Sequence, residues 1–148
     1  MQAWRMLARL YARRWTLLSL VLIVPAGFYC KFYRGPLHVW VNDSLGGTFY
    51  VAFWCLVVFL LWPRAASVRI AAGVLVATCV LEFLQLWHPP FLEILRSHFL
   101  GATILGTTFD WGDFPYYFLG AGAGWFWVNR IASREVPLPT PLRYSNSG

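Results

Sequence analysis

Four long apolar runs constrain this chain more than any other feature of its sequence. A membrane-spanning helix needs roughly 20 mostly apolar residues, because the hydrocarbon layer is about 30 Å thick and each helical residue adds about 1.5 Å. The runs are close to that length and cover residues 14–31, 45–62, 67–87 and 114–131. We therefore predict an all-α, polytopic membrane protein with four transmembrane helices.

The composition agrees with a membrane protein and argues against a nucleic-acid partner. Hydrophobic residues make up 59% of the chain and charged residues only 12%, against about 25% charged in a soluble domain. The net charge of +6 comes from Lys and Arg at the ends of the apolar runs, where lipid head groups bind them. We expect membrane lipids as partners. Because the Cys and His residues show no metal-ligand spacing, we expect no metal and no cofactor.

Lys and Arg are distributed unequally between the two sides of the predicted membrane domain. The N-terminal segment, the loop after residue 62 and the C-terminal segment hold nine of the twelve. The other side holds Lys31, Arg34 and Arg96. Because loops rich in Lys and Arg stay on the cytoplasmic side, we expect both termini in the cytoplasm.

Residues 91–109 do not resemble a fifth span. Their first part is polar and their second part is rich in Gly and Thr, and both flanks are predicted on the outer side. We predict a short amphipathic helix followed by a re-entrant or interfacial turn around Gly101 and Gly106. Residues 1–132 would then form one membrane domain. The proline-spaced, polar residues 133–148 are predicted to be a disordered cytoplasmic tail.

Ionisable groups gather on the predicted outer side. Five of the six acidic residues fall there: Asp43, Glu82, Glu93, Asp110 and Asp113. An ionised carboxylate is costly in hydrocarbon, and Glu82 shares a helix face with Gln85. We predict Arg96 as the partner of Glu82, since a guanidinium can hold a carboxylate with two bonds. Their pair would be either a structural clasp or part of a functional pocket, unless Glu82 is exposed and unpaired.

The remaining polar and small residues permit simpler roles. Asp113 precedes an apolar run that begins with Pro115 in its first turn, which favours a helix N-cap. Asp110 and Asp113 could instead act in acid–base chemistry, or bind a divalent cation with Asp43. Gly120 and Gly124 have the spacing of close helix packing.

Four stretches together resemble a known family. They are "GFYCKFYRGPLHVWVND", "LEFLQL", "LEILRSHFLGATILG" and "FDWGDFPYYFLGAGAG", and the likeness covers roughly residues 25–127. They resemble the bacterial integral membrane proteins of domain of unknown function 2809, and more distantly the VanZ-like membrane proteins, some of which are linked to glycopeptide antibiotic tolerance. The resemblance implies a bacterial inner-membrane protein with signature positions at Lys31, Asp43, Glu82, Gln85, Arg96, Gly101, Gly106, Asp113, Tyr117 and Gly120.

Two departures from the family pattern affect the first outer loop. Asn42 stands where the family has Gly before the signature Asp, and the Trp usually found shortly after is replaced within "SLGGTFY". The loop around Asp43 is therefore expected to be rearranged.

Three functional hypotheses follow. In the first, an outward-facing polar pocket binds an amphiphile or a lipid-linked head group, such as a lipid-linked cell-envelope intermediate or a lipoglycopeptide. Its residues would be Lys31, Asp43, Glu82, Gln85, Arg96, Asp110, Asp113 and Tyr117. In the second, the chain is an enzyme on a lipid-linked substrate with Glu82 or Asp113 as general base, although nothing in the chain resembles a nucleophile elbow, HExxH or a phosphate loop. In the third, the ionic cluster only stabilises a small structural subunit.

Overall fold

A computed structural model describes residues 13–134, and all regular structure within that range is helical. The helices are α1 (Arg14–Phe32), α2 (His38–Leu61), α3 (Ser67–Leu84), α4 (Pro90–Arg96), α5 (Phe99–Leu105) and α6 (Asp113–Ala132). The predicted all-α class is confirmed for these residues. Apart from Ser133 and Arg134, the predicted disordered tail lies outside the described residues.

Among the described helices, α1, α2 and α3 are long and apolar enough to cross a membrane. This finding supports a membrane protein. Helix α6 has 20 residues but a lower hydropathy, because glycine, tyrosine and tryptophan replace aliphatic residues along much of it.

Helices α2 and α6 form the centre of the helix bundle. Helix α6 packs mainly against α2 and α3, whereas α1 packs mainly against α2. A Cβ atom added to Gly120 would lie 2.6 Å from the Thr48 carbonyl oxygen, and one on Gly124 would lie 2.7 Å from Cys55 Sγ. The predicted close packing at the two glycines is confirmed, because no larger residue fits between α6 and α2.

The two ends of the bundle differ in charge. At one end, Arg13 donates to the carbonyl of Leu60, and Ser67 Oγ donates to Asn129 Oδ1 over 3.4 Å. We call this the basic end, since the described arginines of the segments meeting there are Arg13, Arg14, Arg64, Arg69, Arg130 and Arg134. The opposite, acidic end contains α4, α5 and the five acidic residues within 13–134.

Helix α2 begins seven residues before the predicted start at residue 45. A π-helical turn at Val41–Leu45 carries the helix through the polar pair Asn42 and Asp43. In the orientation that satisfies its hydrogen bonds, the Asn42 amide donates to the carbonyls of Cys30, Tyr33 and His38. The side chain thus ties the end of α1 to the start of α2, which explains why a polar residue does not end the helix here.

The outer segment is more helical than predicted. Two short helices, α4 and α5, replace one amphipathic helix, and the predicted turn at Gly101 is wrong because that residue lies inside α5. A Cβ there would collide with the Leu95 carbonyl oxygen, so glycine lets α5 fold back against α4. The turn at Gly106 is confirmed, and its φ of 70° is a conformation that favours glycine.

The contact between α2 and α6 gives a first prediction. Gly120→Ala should lower the free energy of unfolding by about 1–3 kcal/mol, because the added methyl group overpacks the interface. Gly122→Ala is the matched control, since a Cβ atom added there would meet nothing within 4 Å. The control should be neutral or up to about 1 kcal/mol stabilising. Unfolding in mixed micelles measures both, and equal effects would contradict the packing described here.

Candidate functional site

A fully buried carboxylate lies at the centre of the acidic end. Glu82 is only 1% exposed. Its Oε2 accepts hydrogen bonds from the Tyr117 hydroxyl at 2.6 Å and from Gln85 Nε2 at 2.8 Å. Its Oε1 accepts from the backbone N–H of Asp110 at 3.0 Å. Three neutral donors therefore stabilise this carboxylate, and they join the end of α3, the segment before α6 and α6 itself. We call these four residues the Glu82 network.

Local structure brings the donors of this network together. Gln85 follows the end of α3, where Gln85, Leu86 and Trp87 donate backbone bonds to residues three positions earlier. This tighter winding is common at helix ends and explains why α3 stops at Leu84 rather than at the predicted residue 87. Gly106 passes directly over the Gln85 amide, since a Cβ on it would lie 2.5 Å from Gln85 Nε2.

Arg96 does not pair with Glu82, so that prediction is wrong. Arg96 is 7% exposed, and its guanidinium donates to the carbonyls of Leu84 at 2.9 Å and Trp87 at 3.1 Å. A planar fork of donors can bind two carbonyl oxygens at once. Here they are the carbonyl of Leu84, the last residue of α3, which also accepts the backbone bond from Trp87, and the carbonyl of Trp87 just beyond the helix. Arg96 thus anchors α4 to the end of α3. It forms a structural clasp as one prediction had it, but with backbone carbonyl oxygens instead of the Glu82 carboxylate.

Glu93 lies on the exposed side of this clasp. Its Oε1 is 2.8 Å from His88 Nδ1 and 3.4 Å from Arg96 Nη1. The hydrogen bond with His88, and the positive charge of Arg96, hold the pKa of the Glu93 carboxyl below its ordinary value. This carboxylate is separate from the Glu82 network.

An open cavity of 730 Å³ lies at the acidic end, between the start of α2 and the start of α6. Asp43, Asp110 and Asp113 line it, together with Trp40 and Tyr116. The other lining residues are Leu37, His38, Val39, Ser44, Gly112 and Pro115. The lining is therefore acidic and aromatic, and the residues described there include no Lys or Arg.

Two features fix the backbone and side chains around the cavity. Trp40 Nε1 donates to the Tyr116 hydroxyl at 2.9 Å, which joins α2 to α6 across one wall. Leu37 has a φ of 59°, a conformation that is costly for a residue with a branched side chain. A strained residue and the adjacent π-helical turn both lie at this rim, and such features concentrate at functional sites.

Asp113 is in the first turn of α6 rather than at its N-cap, so the predicted cap is wrong. Gly112 holds the cap position, and no side chain caps the helix there. Asp110 Oδ1 instead accepts from the Gly112 backbone N–H at 2.8 Å. A carboxylate in the first turn still interacts favourably with the helix dipole. Asp113 Oδ2 lies 3.5 Å from the Tyr117 hydroxyl, and this contact connects the cavity to the Glu82 network.

The predicted site residues therefore divide into three groups. Asp43, Asp110 and Asp113 line the cavity, while Glu82, Gln85 and Tyr117 lie in the buried network, to which Asp110 also belongs through its backbone N–H. Lys31 and Arg96 belong to neither group, since Lys31 Nζ donates to Thr103 Oγ1 at 3.0 Å. The sequence did not single out Trp40 or Tyr116 as cavity residues, because aromatic residues near the end of an apolar run are typical of a membrane interface.

No arrangement typical of a metal centre is present between residues 13 and 134. Within that range, no three His, Cys, Asp or Glu side chains are grouped closely enough to hold a metal ion.

The comparison with known families gives one match. The family model described as "Protein of unknown function (DUF2809)" matches residues 37–121, which is more than half of the 148-residue chain. The matched range contains the Glu82 network, Arg96 and the lining of the cavity. No solved structure matches the chain. The chain belongs to the DUF2809 family.

The Glu82 network gives a second prediction. Tyr117→Phe should lower the free energy of unfolding by about 2–3 kcal/mol, because a buried carboxylate loses a donor. Tyr116→Phe is the matched control, since its hydroxyl bonds to Trp40 near the surface and its loss should cost less than about 1 kcal/mol. Chemical unfolding measures both variants. If the control were as unstable as Tyr117→Phe, the buried network would not carry the stability assigned to it.

The Arg96 clasp gives a third prediction. In Arg96→Lys a single ammonium replaces the two-pronged guanidinium, so one of the carbonyls of Leu84 and Trp87 loses its bond. The backbone amides of Gln85–Trp87 should then exchange hydrogen about tenfold faster, the effect of roughly 1.4 kcal/mol. Arg34→Lys, in the loop after α1, is the control. Unchanged exchange in both variants would refute the clasp.

Proposed function

We propose that this member of the DUF2809 family is a four-span membrane protein whose acidic-end cavity binds an amphiphile with a cationic head group. One observation carries the proposal. Three carboxylates and two aromatic rings line a single cavity, and the lining residues that the structure describes include no Lys or Arg. Such a lining attracts an ammonium group and repels a phosphate or carboxylate.

The orientation in the membrane forms part of the proposal. Helix α6 would be the fourth span, since it packs against both α2 and α3. It begins at the acidic end of the bundle and ends at the basic end. The six arginines of the basic end would face the cytoplasm, by the positive-inside rule. The cavity would then open on the outer side of the cytoplasmic membrane, level with lipid head groups.

Electrostatics narrows the class of ligand. A unit charge about 4 Å from an opposite charge gains roughly 1 kcal/mol in water and about 4 kcal/mol near a protein surface. An ammonium over Trp40 or Tyr116 would add about 0.5–1 kcal/mol. A lipid-linked intermediate whose head group carries only phosphate would be repelled by the same carboxylates. An amine-bearing amphiphile, including an amine-bearing lipoglycopeptide, fits better.

The side chains of Glu82, Gln85 and Tyr117 would support the cavity rather than contact the ligand, whereas Asp110 joins the network only through its backbone N–H and also lines the cavity. Glu82 is buried and already accepts three hydrogen bonds, so it is a poor general base for a substrate in the cavity. Asp113 lines the cavity with Ser44 and His38, but no hydrogen bond within residues 13–134 joins Asp113 to either side chain. A binding role therefore has more support than an enzymatic one.

Binding of a simple probe tests the proposal. Wild-type protein in nanodiscs of phosphatidylcholine should bind tetradecylammonium more tightly than empty nanodiscs do, and should show no such preference for tetradecyl phosphate. Asp43→Asn and Asp113→Asn should each weaken binding of the amine about threefold to tenfold, since one attractive charge is lost. Calorimetric titration measures these affinities.

Glu93→Gln is the matched control, because it removes one carboxylate from the same end but outside the cavity. It should leave amine binding unchanged. The proposal would fail if all three variants weakened binding equally, since net charge alone would then explain the affinity. It would also fail if wild-type protein bound the phosphate as well as the amine.

A further inference from the structure

A second groove lies at the basic end, between the start of α1 and the end of α6. It has a volume of 380 Å³ and is lined by Trp15, Ser19, Phe126, Trp127, Arg130, Ile131 and Arg134. The groove exists because α1 and α6 both pack against α2 and touch each other only slightly. Its charged lining residues are arginines, whereas those of the cavity at the acidic end are aspartates.

Hydrogen bonds fix the floor of this groove. Trp127 Nε1 donates to Ser19 Oγ at 3.0 Å, and Ser19 Oγ donates to the carbonyl of Trp15 at 2.8 Å. These bonds join α6 to α1. They also occupy the indole N–H of Trp127 and the hydroxyl of Ser19, so neither group needs a partner from a ligand. The surface left to an occupant along the floor is therefore aromatic and aliphatic.

Two arginines lie at the mouth of the groove. Arg130 is in the last turn of α6 and Arg134 lies two residues beyond its end, and both line the groove. The Arg130 guanidinium is 4.9 Å from the Phe126 ring centre, and that of Arg134 is 5.8 Å from the Trp15 ring centre. Neither forms an ion pair with a carboxylate of residues 13–134, all of which lie at the acidic end. Glu135 lies outside the described residues.

We infer that this groove binds an anionic phospholipid, with the phosphate at Arg130 and Arg134 and an acyl chain along Phe126 and Trp127. Guanidinium groups bind phosphate oxygens with paired hydrogen bonds. Basic clusters next to spanning helices attract the anionic lipids of the cytoplasmic leaflet. The site lies at the other end of the bundle from the cavity and takes a ligand of opposite charge.

The groove favours a lipid over a free phosphate ion for a structural reason. Phe126 is 54% exposed, and Trp15 is also exposed. A phospholipid tail would cover these rings, whereas a soluble phosphate would contact only the guanidinium groups. Leu18 and Leu22 on α1 and Leu119 on α6 are also exposed, so apolar surface is available on both helices for a lipid tail.

Lipid titration followed by native mass spectrometry tests the inference on the full-length protein. Wild-type protein should bind one phosphatidylglycerol about tenfold more tightly than phosphatidylcholine. The double variant Arg130→Gln/Arg134→Gln should lose this preference. Arg64→Gln/Arg69→Gln is the matched control, because it removes two charges from the same end without touching the groove. The control should keep the preference.

Three outcomes would overturn the inference. Equal loss in both double variants would mean that only the net charge of the basic end matters. An unchanged preference in Arg130→Gln/Arg134→Gln would exclude the two arginines as ligands. Competition by soluble glycerol 3-phosphate at the concentration of the lipid would exclude a role for the acyl chain. If the double variant were not monodisperse, Arg134→Gln alone would be read in the same way, with about a threefold loss expected.

Discussion

The acidic end of this protein depends on one buried carboxylate that is stabilised without a cation. Glu82 is desolvated, and such a charge is costly unless hydrogen bonds replace the lost water. Donors from Tyr117, Gln85 and the Asp110 backbone supply those bonds. Because each donor belongs to a different part of the chain, satisfying the carboxylate also fixes the end of α3 against α6 and holds the segment that leads into the cavity.

Separation of charge between the two ends follows from this arrangement and gives the molecule two chemically opposite surfaces. Arg96 is used for the carbonyls at the end of α3, so it does not neutralise the carboxylates around the cavity. Asp43, Asp110 and Asp113 therefore leave a field that suits an ammonium group. The arginines at the other end of α6 suit a phosphate. One helix thus contributes to both proposed lipid-level sites.

Much of the architecture was predictable because the membrane restricts the available folds. Apolar runs must be helical where backbone groups have no water to bond, and this restriction predicts the spans of α1 and α3 well. The partner of Glu82 was not predictable in the same way. One donor is the backbone N–H of Asp110, which no side chain reveals, and another is Tyr117, which the family resemblance indicated as a pocket residue but not as the partner of Glu82. The early start of α2 was missed because the tertiary contacts of Asn42 override its low helix propensity.

A pair of double-mutant cycles tests the central claim most directly, since they measure which group is energetically coupled to Glu82. The first cycle combines Glu82→Gln with Tyr117→Phe, and the second combines Glu82→Gln with Arg96→Gln. The account predicts a coupling of about 1.5–3 kcal/mol in the first cycle and less than about 0.5 kcal/mol in the second. Strong coupling to Arg96 with none to Tyr117 would contradict it, because Glu82 would then be stabilised by an ion pair.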